Sequence, residues 1–546
     1  MKRGKDFVKY IIYNSIKKIR LLNSLTDKIE NRMDILYPGN RDVVVKNTLI
    51  ELLKIFLTCV LVLVAFTLFG KISIIYIFVA ISIIYVMVTN IVYSKFDKLE
   101  IKLLKEFEKY IQDVRFLFKY DGMIDEALQE ALQNADEEMR LQGVIICESL
   151  DEFNEETVYK DIAPNHFLLT FYALCETVKL YGDKIIDGKS SFLTNLSFLM
   201  DDVNTEILKR EKINSLFMGL TGVSIIPLFA IKPIIIWGTS NISGLELYYD
   251  GVKGKISIIL ITILTILIVN IITKLRYPLD YDNHKSKLVE SLLSIQLVDS
   301  FLMKLISRKY QYYYEMDMFL KSIVYKYNIK EFSLYRILCS MGTFFVSTLI
   351  FFSVGLYKKN FVGIILTLIL IVLSSLIAYY YEFIMLFVRE KLLKMDREEE
   401  VVRFQSIIII LKNIDRVSIE NILGWMEQFA TVFKNTIEEI SDSLIYKGNE
   451  IFREVKENIR FLPFERLMDC FIACDRIGIC QAFSDIESDR KYYIEKHRQD
   501  NEIIINNKAL IAKFIAFIPI CLVIIFILVI PFIYQGLQEL ATFKLV

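Results

Sequence analysis

Net charge, paired cysteine and histidine are absent or scarce in this chain, and each shortage removes a class of function. The 546 residues hold 65 Lys+Arg against 65 Asp+Glu, so no overall positive field draws the chain to nucleic acid. The three histidines stand far apart at 166, 284 and 497, and none pairs with a nucleophile in the way acyl-transfer chemistry requires. Eight cysteines (59, 147, 175, 339, 470, 474, 480 and 521) form no CxxC pair. Several lie inside helical or apolar stretches, as expected of a reduced protein facing the cytoplasm. Residues 1–30 are basic and amphipathic but lack the short apolar core of a cleavable signal peptide. The sequence therefore offers no catalytic centre, no metal site and no cofactor site, and the expectation is a protein that is not an enzyme.

What is present is apolar sequence in long blocks. Hydrophobic residues make up 54% of the chain, and they cluster into seven windows: about 52–69, 72–93, 213–237, 256–273, 337–357, 361–381 and 510–534. A bilayer core about 30 Å thick needs roughly 20 apolar residues per helical span, and each window meets or approaches that length. Glu51 and Lys54 crowd the start of the first, which makes it the weakest. The runs are continuous rather than alternating, which excludes a β-barrel. The expected fold class is all-α: a polytopic membrane protein with about seven transmembrane helices and two cytoplasmic helical-bundle domains in tandem repeat.

The loops set the topology. Seven spans place segments 1–51, 94–212, 274–336 and 382–509 on one side. The other side receives Gly70-Lys71, about 238–255, about 358–360 and the tail 535–546. Residues 1–51 carry 11 basic against 6 acidic side chains, and 274–336 carry 11 against 7. By the positive-inside rule the polar side is cytoplasmic, and the expected location is the cytoplasmic (inner) membrane with the N-terminus inside. Segment 95–212 is acidic, with 15 basic against 25 acidic residues. The expected divisions are thus a basic segment 1–51, a span pair 52–93, a polar domain 94–212 and a span pair 213–273. A polar segment 274–336, a span pair 337–381, a polar domain 382–509, a last span 510–534 and the tail follow.

The plan occurs twice. Landmarks recur 285 to 296 residues apart: spans near 52 and 337, spans near 72 and 361, polar segments from about 95 and 389, and spans near 213 and 510. Only the span at 256–273 has no second copy. Such repeats identify the architecture before any single motif does. Within the polar segments the apolar spacing is helical. Leu99, Leu103, Phe107, Tyr110, Val114 and Leu117 form one stripe, and Phe404, Ile408 and Leu411 form its counterpart. Asp121-Gly122 breaks the first long helix, and Asp415-Arg416-Val417-Ser418 breaks the second, with Ser418 as N-cap of the helix that follows. Helices are predicted at about 166–181 and 190–212, and another from Pro463 to Gly478.

Three constellations invite a chemical reading. Gly182-Asp183-Lys184-Ile185-Ile186-Asp187-Gly188-Lys189-Ser190 resembles a phosphate loop, but five residues separate its glycines where four are needed, and it joins two helices. It reads as a turn. Cys470 and Cys474 share a helix face with Cys480 nearby, and without a histidine at hand they read as packing rather than zinc ligands. Lys232, between Pro227 and Pro233, is the one charge well inside a span; its distance from Trp237 predicts snorkelling to the outer interface. The stripe Phe7, Ile11, Ile19, Leu22, Leu25 suits either a membrane surface or packing on the bundle.

Taken together, the arrangement resembles the type II secretion F-domain family, the inner-membrane platform proteins of type IV pilus-like machines. It is similar above all to the paired platform proteins of the tight-adherence (Tad) pilus, here as two tandem modules covering about 95–237 and 389–534. Gly122-Met123-Ile124-Asp125-Glu126-Ala127-Leu128 matches the family's first turn, and Asp475-Arg476-Ile477-Gly478 before Ala482-Phe483 matches its second. Unit one represents the second turn by Glu176 and Gly182 with wider spacing, and Val417 to Leu423 lacks the glycine of the first. The resemblance implies a non-enzymatic scaffold coupling a hexameric secretion or pilus ATPase to extraction of pilin-like subunits from the lipid bilayer. Other platform copies or membrane components would be further partners. Glu126, Glu176 and Asp475, which flank the turns, become the expected partner-binding residues, and the acidic first segment would meet a basic ATPase surface. A transporter with parallel repeats is the alternative, and it requires polar groups meeting at mid-membrane.

Overall fold

The computed structural model of the protein describes residues 20–68, 74–151, 162–276, 287–355, 361–412 and 417–543, apart from residues 187, 243, 324, 326, 460, 485 and 487–489, together with residues 13, 17 and 159. The stripe from Phe7 to Ile19, the acidic loop after Asp151, the Asp415-Arg416 turn and the side chains of His284 and His497 lie outside the described residues. Among the described residues the chain is helical almost throughout; one two-residue antiparallel pairing joins Ile185–Ile186 to Lys189–Ser190.

In chain order, the first polar unit and its spans comprise α1 (Arg20–Leu36), α2 (Arg41–Leu68), α3 (Ile74–Asp121), α4 (Ile124–Asn134), α5 (Glu137–Asp151), α6 (His166–Tyr181), α7 (Ser191–Phe217), α8 (Leu220–Asn241), α9 (Leu245–Tyr249) and α10 (Val252–Arg276). Three connecting helices follow: α11 (Lys287–Leu293), α12 (Gln296–Arg308) and α13 (Tyr310–Ser322). The second unit comprises α14 (Ile329–Gly355), α15 (Phe361–Leu411), α16 (Ile419–Phe429), α17 (Lys434–Lys447), α18 (Glu450–Ile459), α19 (Leu462–Ile477), α20 (Ile479–Ala482), α21 (Arg490–Val523) and α22 (Ile530–Phe543).

Among the described residues six helical stretches are long and apolar enough to cross a membrane: Arg41–Thr67, Ile75–Asp121, Ser191–Asn241, Lys253–Arg276, Ile371–Ile409 and Asn501–Leu540. The seventh expected window, 337–357, falls on α14, a helix of 27 residues whose side chains toward its C-terminal end lie partly outside the described set. The protein is thus an all-α, membrane-embedded chain.

The helix breaks have local causes. Gly122 ends α3 at φ 71°, a left-handed geometry that costs glycine nothing sterically. Asn165 caps α6 by accepting from the amides of Phe167 and Leu168, both at 3.0 Å. Ser190 caps α7 through the Leu193 amide, and Ser418 caps α16 through the Asn421 amide at 3.2 Å, as its sequence position predicts. Pro463 sits in the first turn of α19, where its missing N–H is no loss.

Packing sorts the side chains into two main cores. Outside the spans, buried residues of α3 to α7 and of α15 to α20 join one apolar cluster, from Leu103, Phe107 and Phe171 through Leu196 to Phe404, Met426 and Phe471. Both polar units therefore share a core. Inside the membrane layer, Val79 and Ile83 of α3, Leu228 and Ile231 of α8, Ile259 of α10 and Ile527 of the last span form the second cluster. The last span belongs with the first unit's spans, packing on α7, α8 and α10. Helix α15 packs least: only 18% of its best apolar window is buried, against 56% for α10.

Backbone groups in the spans are satisfied by neighbours, as a medium without water requires. Pro531 has no N–H to offer the carbonyl of Ile527, and a six-residue π-helical segment, Ile524–Val529, precedes it. Tyr249 donates its hydroxyl to that Ile527 carbonyl at 2.7 Å. Lys232 does not snorkel. It is 6% exposed, its Nζ donates to the Phe66 carbonyl at 3.2 Å near the C-terminal end of α2, and it lies 5.0 Å from the Tyr76 ring centroid. The last turn of a helix leaves its carbonyls without partners, and α8, with Pro227 and Pro233 inside it, brings an ammonium to one of them.

A candidate docking surface

The long helices carry the polar units away from the membrane. From residue 93, where the apolar window of α3 ends, to Asp121 is 28 residues, or about 40 Å of helix. Here the Gly122 turn, the first turn of α4, the end of α5, the end of α6 and the Ile185–Ser190 pairing converge. Lys179 fixes the corner: its ammonium lies 2.9 Å from Asp125 and 2.5 Å from Asp151. Gly182 ends α6 at φ 76° and ψ 172°, a region open only to glycine. Its amide donates to the Val178 carbonyl, and Asp183 accepts from the Phe192 amide at 3.0 Å.

This end of the unit exposes apolar surface. Phe116 is 72% and Tyr120 86% exposed; Met123, Leu180, Tyr181 and Ile185 stand open beside them. Phe116 and Tyr120 are four apart, hence neighbours on α3, and both fall outside the buried stripe of Phe107, Tyr110, Val114 and Phe118. Asp121, Asp125, Glu126 and Asp183 are exposed around the patch, with Arg115 and Lys119 on its α3 side. An open apolar centre with a charged rim is the anatomy of a protein contact.

Unit two ends in the same way on a smaller scale. Gly478 closes α19 at φ 80° and ψ 155°, its amide donating to the Cys474 carbonyl. Ile445 and Tyr446, at the end of α17, are exposed, and Asn449 donates to Asp475 across the corner.

The residues expected to bind partners are placed as follows. Glu126 is exposed in the first turn of α4. Glu176 is half-buried on α6 and accepts from the Tyr172 hydroxyl at 3.4 Å; the helices carrying these two glutamates pack together. Asp475 lies on the other unit's corner. The apolar patch was missed by sequence reasoning, although an aromatic i, i+4 pair off the core stripe and next to a glycine break is a readable signal.

A second cluster lies where the units meet. Lys209 of α7 pairs with Glu399 of α15 at 2.5 Å, and Ser406 donates to Asp202 at 3.2 Å. Glu206 holds Arg210 at 2.7 Å. Burial pushes the Glu206 carboxyl up, but Lys209 and Arg210 outweigh it and hold it down to about 2. Burial, with Arg403 beside it, holds the His166 imidazole well below its ordinary value, so it is neutral at neutral pH. This is a charge-matched seam.

The remaining candidates resolve as structure. The loop at 182–190 is a short hairpin between two helices and contributes a cap, not a phosphate cradle. The Cys474 thiol donates to the Cys470 carbonyl at 3.2 Å, and all eight cysteines are free. Among the described residues no three His, Cys, Asp or Glu side chains come together as a metal would need. No family model, no curated protein and no solved structure matches this chain.

Proposed function

We propose that the protein is a platform of a type II secretion or Tad-like pilus assembly machine in the cytoplasmic (inner) membrane, its polar units facing the cytoplasm and seven spans holding it there. It acts as a scaffold without catalysis of its own. The apolar end of unit one docks a hexameric cytoplasmic ATPase, and the spans receive pilin-like subunits as they leave the bilayer.

One observation carries this reading: an open aromatic patch, charged at its rim, held about 40 Å from the membrane end of α3 on a helix continuous with a span. A rigid helix transmits a push at its far end directly to the bilayer. The acidic surplus of segment 95–212 favours a basic partner surface and speeds encounter. The transporter alternative has less to stand on, because Lys232 is engaged with the Phe66 carbonyl and an adjacent ring.

The test is a photo-crosslinking amino acid at Tyr120 in the full-length protein, in cells that assemble the machine. The expected product is an adduct with the hexameric secretion ATPase, and none from the same probe at Tyr446 if unit one alone docks. Assembled pili in the absence of the protein, or a Tyr120 probe that yields no ATPase adduct in assembling cells, overturns the proposal.

A further inference from the structure

Helices α12 and α13 lie at the foot of the α14–α15 span pair. On α12 the buried residue is Leu302, which packs with Leu334 at the start of α14, alongside Ile337 and Leu338. On α13, Met316 and Leu320 pack against Phe332 and against Leu386 and Leu393 of α15. Residues 337 and 381 bound the apolar windows of these spans, so α12 sits at the level where hydrocarbon gives way to headgroups, and α13 runs on from there along α15 as far as Leu393.

Their other faces are apolar and open. On α12, Leu297 is 83% and Phe301 61% exposed; on α13, Tyr310, Tyr314 and Met318 recur every four residues opposite the buried Met316. The Tyr310 and Tyr314 rings stack with centroids 6.0 Å apart. Lys304 and Arg308 continue the Leu297–Phe301 row, at steps of three and four, and both are exposed. Two of the nearby acids are paired within the protein, Asp299 with Lys330 at 2.9 Å and Asp317 with Lys321 at 2.7 Å, and the exposed Glu315 accepts from Gln311 at 3.4 Å.

We propose that α12 and α13 form a membrane-surface collar that binds anionic lipid. Leu297, Phe301, Tyr310 and Tyr314 enter the boundary between headgroups and acyl chains, and Lys304 and Arg308 meet lipid phosphates. The chemistry is that of an interfacial amphipathic helix: an apolar row with cations at its edge and tyrosines at headgroup depth. Continuity with the spans decides the occupant. The buried face of α12 packs on residues 334 to 338 of a spanning helix, so its opposite face, with Leu297 and Phe301, stands at the edge of the bilayer where lipid is the nearest occupant. The collar would also brace α15, whose apolar window is the least buried of those scored.

The test uses the full-length protein with Trp237 and Trp425 replaced by Phe and a single reporter, Phe301→Trp, in vesicles of mixed zwitterionic and anionic lipid brominated along the acyl chains. Phe344→Trp, on the exposed face of α14, is the control that reconstitution succeeded. The expected result is a loss of Phe301→Trp emission comparable with that of the control, reduced when Lys304 and Arg308 are both changed to Glu. Emission that ignores brominated lipid but is quenched by aqueous iodide shows a water-facing helix and overturns the proposal. Emission insensitive to both quenchers, with the control still quenched, shows a face covered by a second copy or another protein and overturns it equally.

Discussion

The two polar units share several helix lengths and turns, and what differs between them shows which features the plan requires. Helices α4 and α16 each have 11 residues, and α6 and α19 each have 16. Ala135 and Ala430, 295 residues apart, end α4 and α16 with matching angles, φ −76° and ψ 140° against φ −73° and ψ 133°. Gly182 and Gly478, 296 residues apart, end α6 and α19. The backbone turns are common property. The charges are not: Lys179 of unit one, bridging two aspartates, occupies the place that Asp475 holds in unit two.

The sharpest contrast is between two buried glutamates 294 residues apart. Glu400 is 0% exposed and receives the amides of Thr431 (2.9 Å), Val432 (2.7 Å) and Phe433 (3.0 Å) and the Thr431 hydroxyl (2.7 Å). It supplies the negative charge that the N-terminus of α17 favours. In unit one the same approach to α5 reads Asp136-Glu137-Glu138, so the acids are already in place. Glu106, 6% exposed, has no hydrogen bond to either oxygen, although the Lys102 ammonium lies 3.2 Å from one of them. Burial and the neighbouring Glu138 push its carboxyl up.

The largest expected effect breaks unit two alone. Glu400→Ala leaves three amides at a helix start without their acceptor, which costs about 3 kcal/mol, or roughly a hundredfold in the opening equilibrium. Buried free thiols report which unit opens: Cys474 in unit two and Cys175 in unit one. The expected outcome is much faster labelling of Cys474 and little change at Cys175. Equal acceleration at both would mean that the shared core makes the two units one cooperative body.

Next come the glycine turns, where the units should respond alike. At Gly182 and Gly478 an added Cβ meets nothing within 4 Å, so Ala is opposed by backbone conformation only, at about 2 kcal/mol each. Thermal unfolding in detergent should show matching losses for the two variants. A loss at only one of them would separate turns that look equivalent.

Glu106→Gln should act in the opposite direction to Glu400→Ala, gaining about 1 kcal/mol at neutral pH by removing a buried charge without acceptor bonds. The sign follows from the raised carboxyl. A glutamate held above its ordinary value in the folded state contributes stability at pH below the carboxylate range and loses it as pH rises through the raised value. The advantage of Glu106→Gln over the natural protein should therefore be greatest near pH 7 and shrink as pH falls toward about 4. A constant advantage across that range would show that Glu106 is already neutral.

Much of the fold was legible because its causes are local. Gly122, Gly478, Ser418 and Pro463 act on their own turns, and span length follows from hydrocarbon thickness. What the sequence left open is what covers each apolar face. Phe107 and Tyr120 are both aromatic residues on α3, yet one is sealed in the core and the other stands open, and composition does not distinguish them. Lys232 was misjudged for the same reason: its distance from Trp237 pointed to the interface, but the orphan carbonyl of Phe66, 166 residues away in sequence, supplied a nearer partner. The shared core of the two units likewise depends on contacts between segments some 200 residues apart, such as Ser406 with Asp202.

The smallest effect tests whether a feature of one unit can be moved to the other. Ser418 caps α16 through the Asn421 amide, whereas Met123, at the matching position before α4, has no side chain to offer. Both residues have extended backbones, φ −102° and ψ 164° against φ −105° and ψ 119°, so the serine geometry is within reach of position 123. Ser418→Ala should lose about 1 kcal/mol and Met123→Ser should gain a similar amount, read from Cys474 and Cys175 labelling respectively. Met123 also stands open beside Tyr120, so if the patch docks the ATPase the same substitution should weaken the Tyr120 crosslink while stabilising the unit. Stabilisation with an unchanged crosslink would place the contact on Phe116, Tyr120 and Tyr181 instead, and narrow the docking surface to the aromatic residues alone.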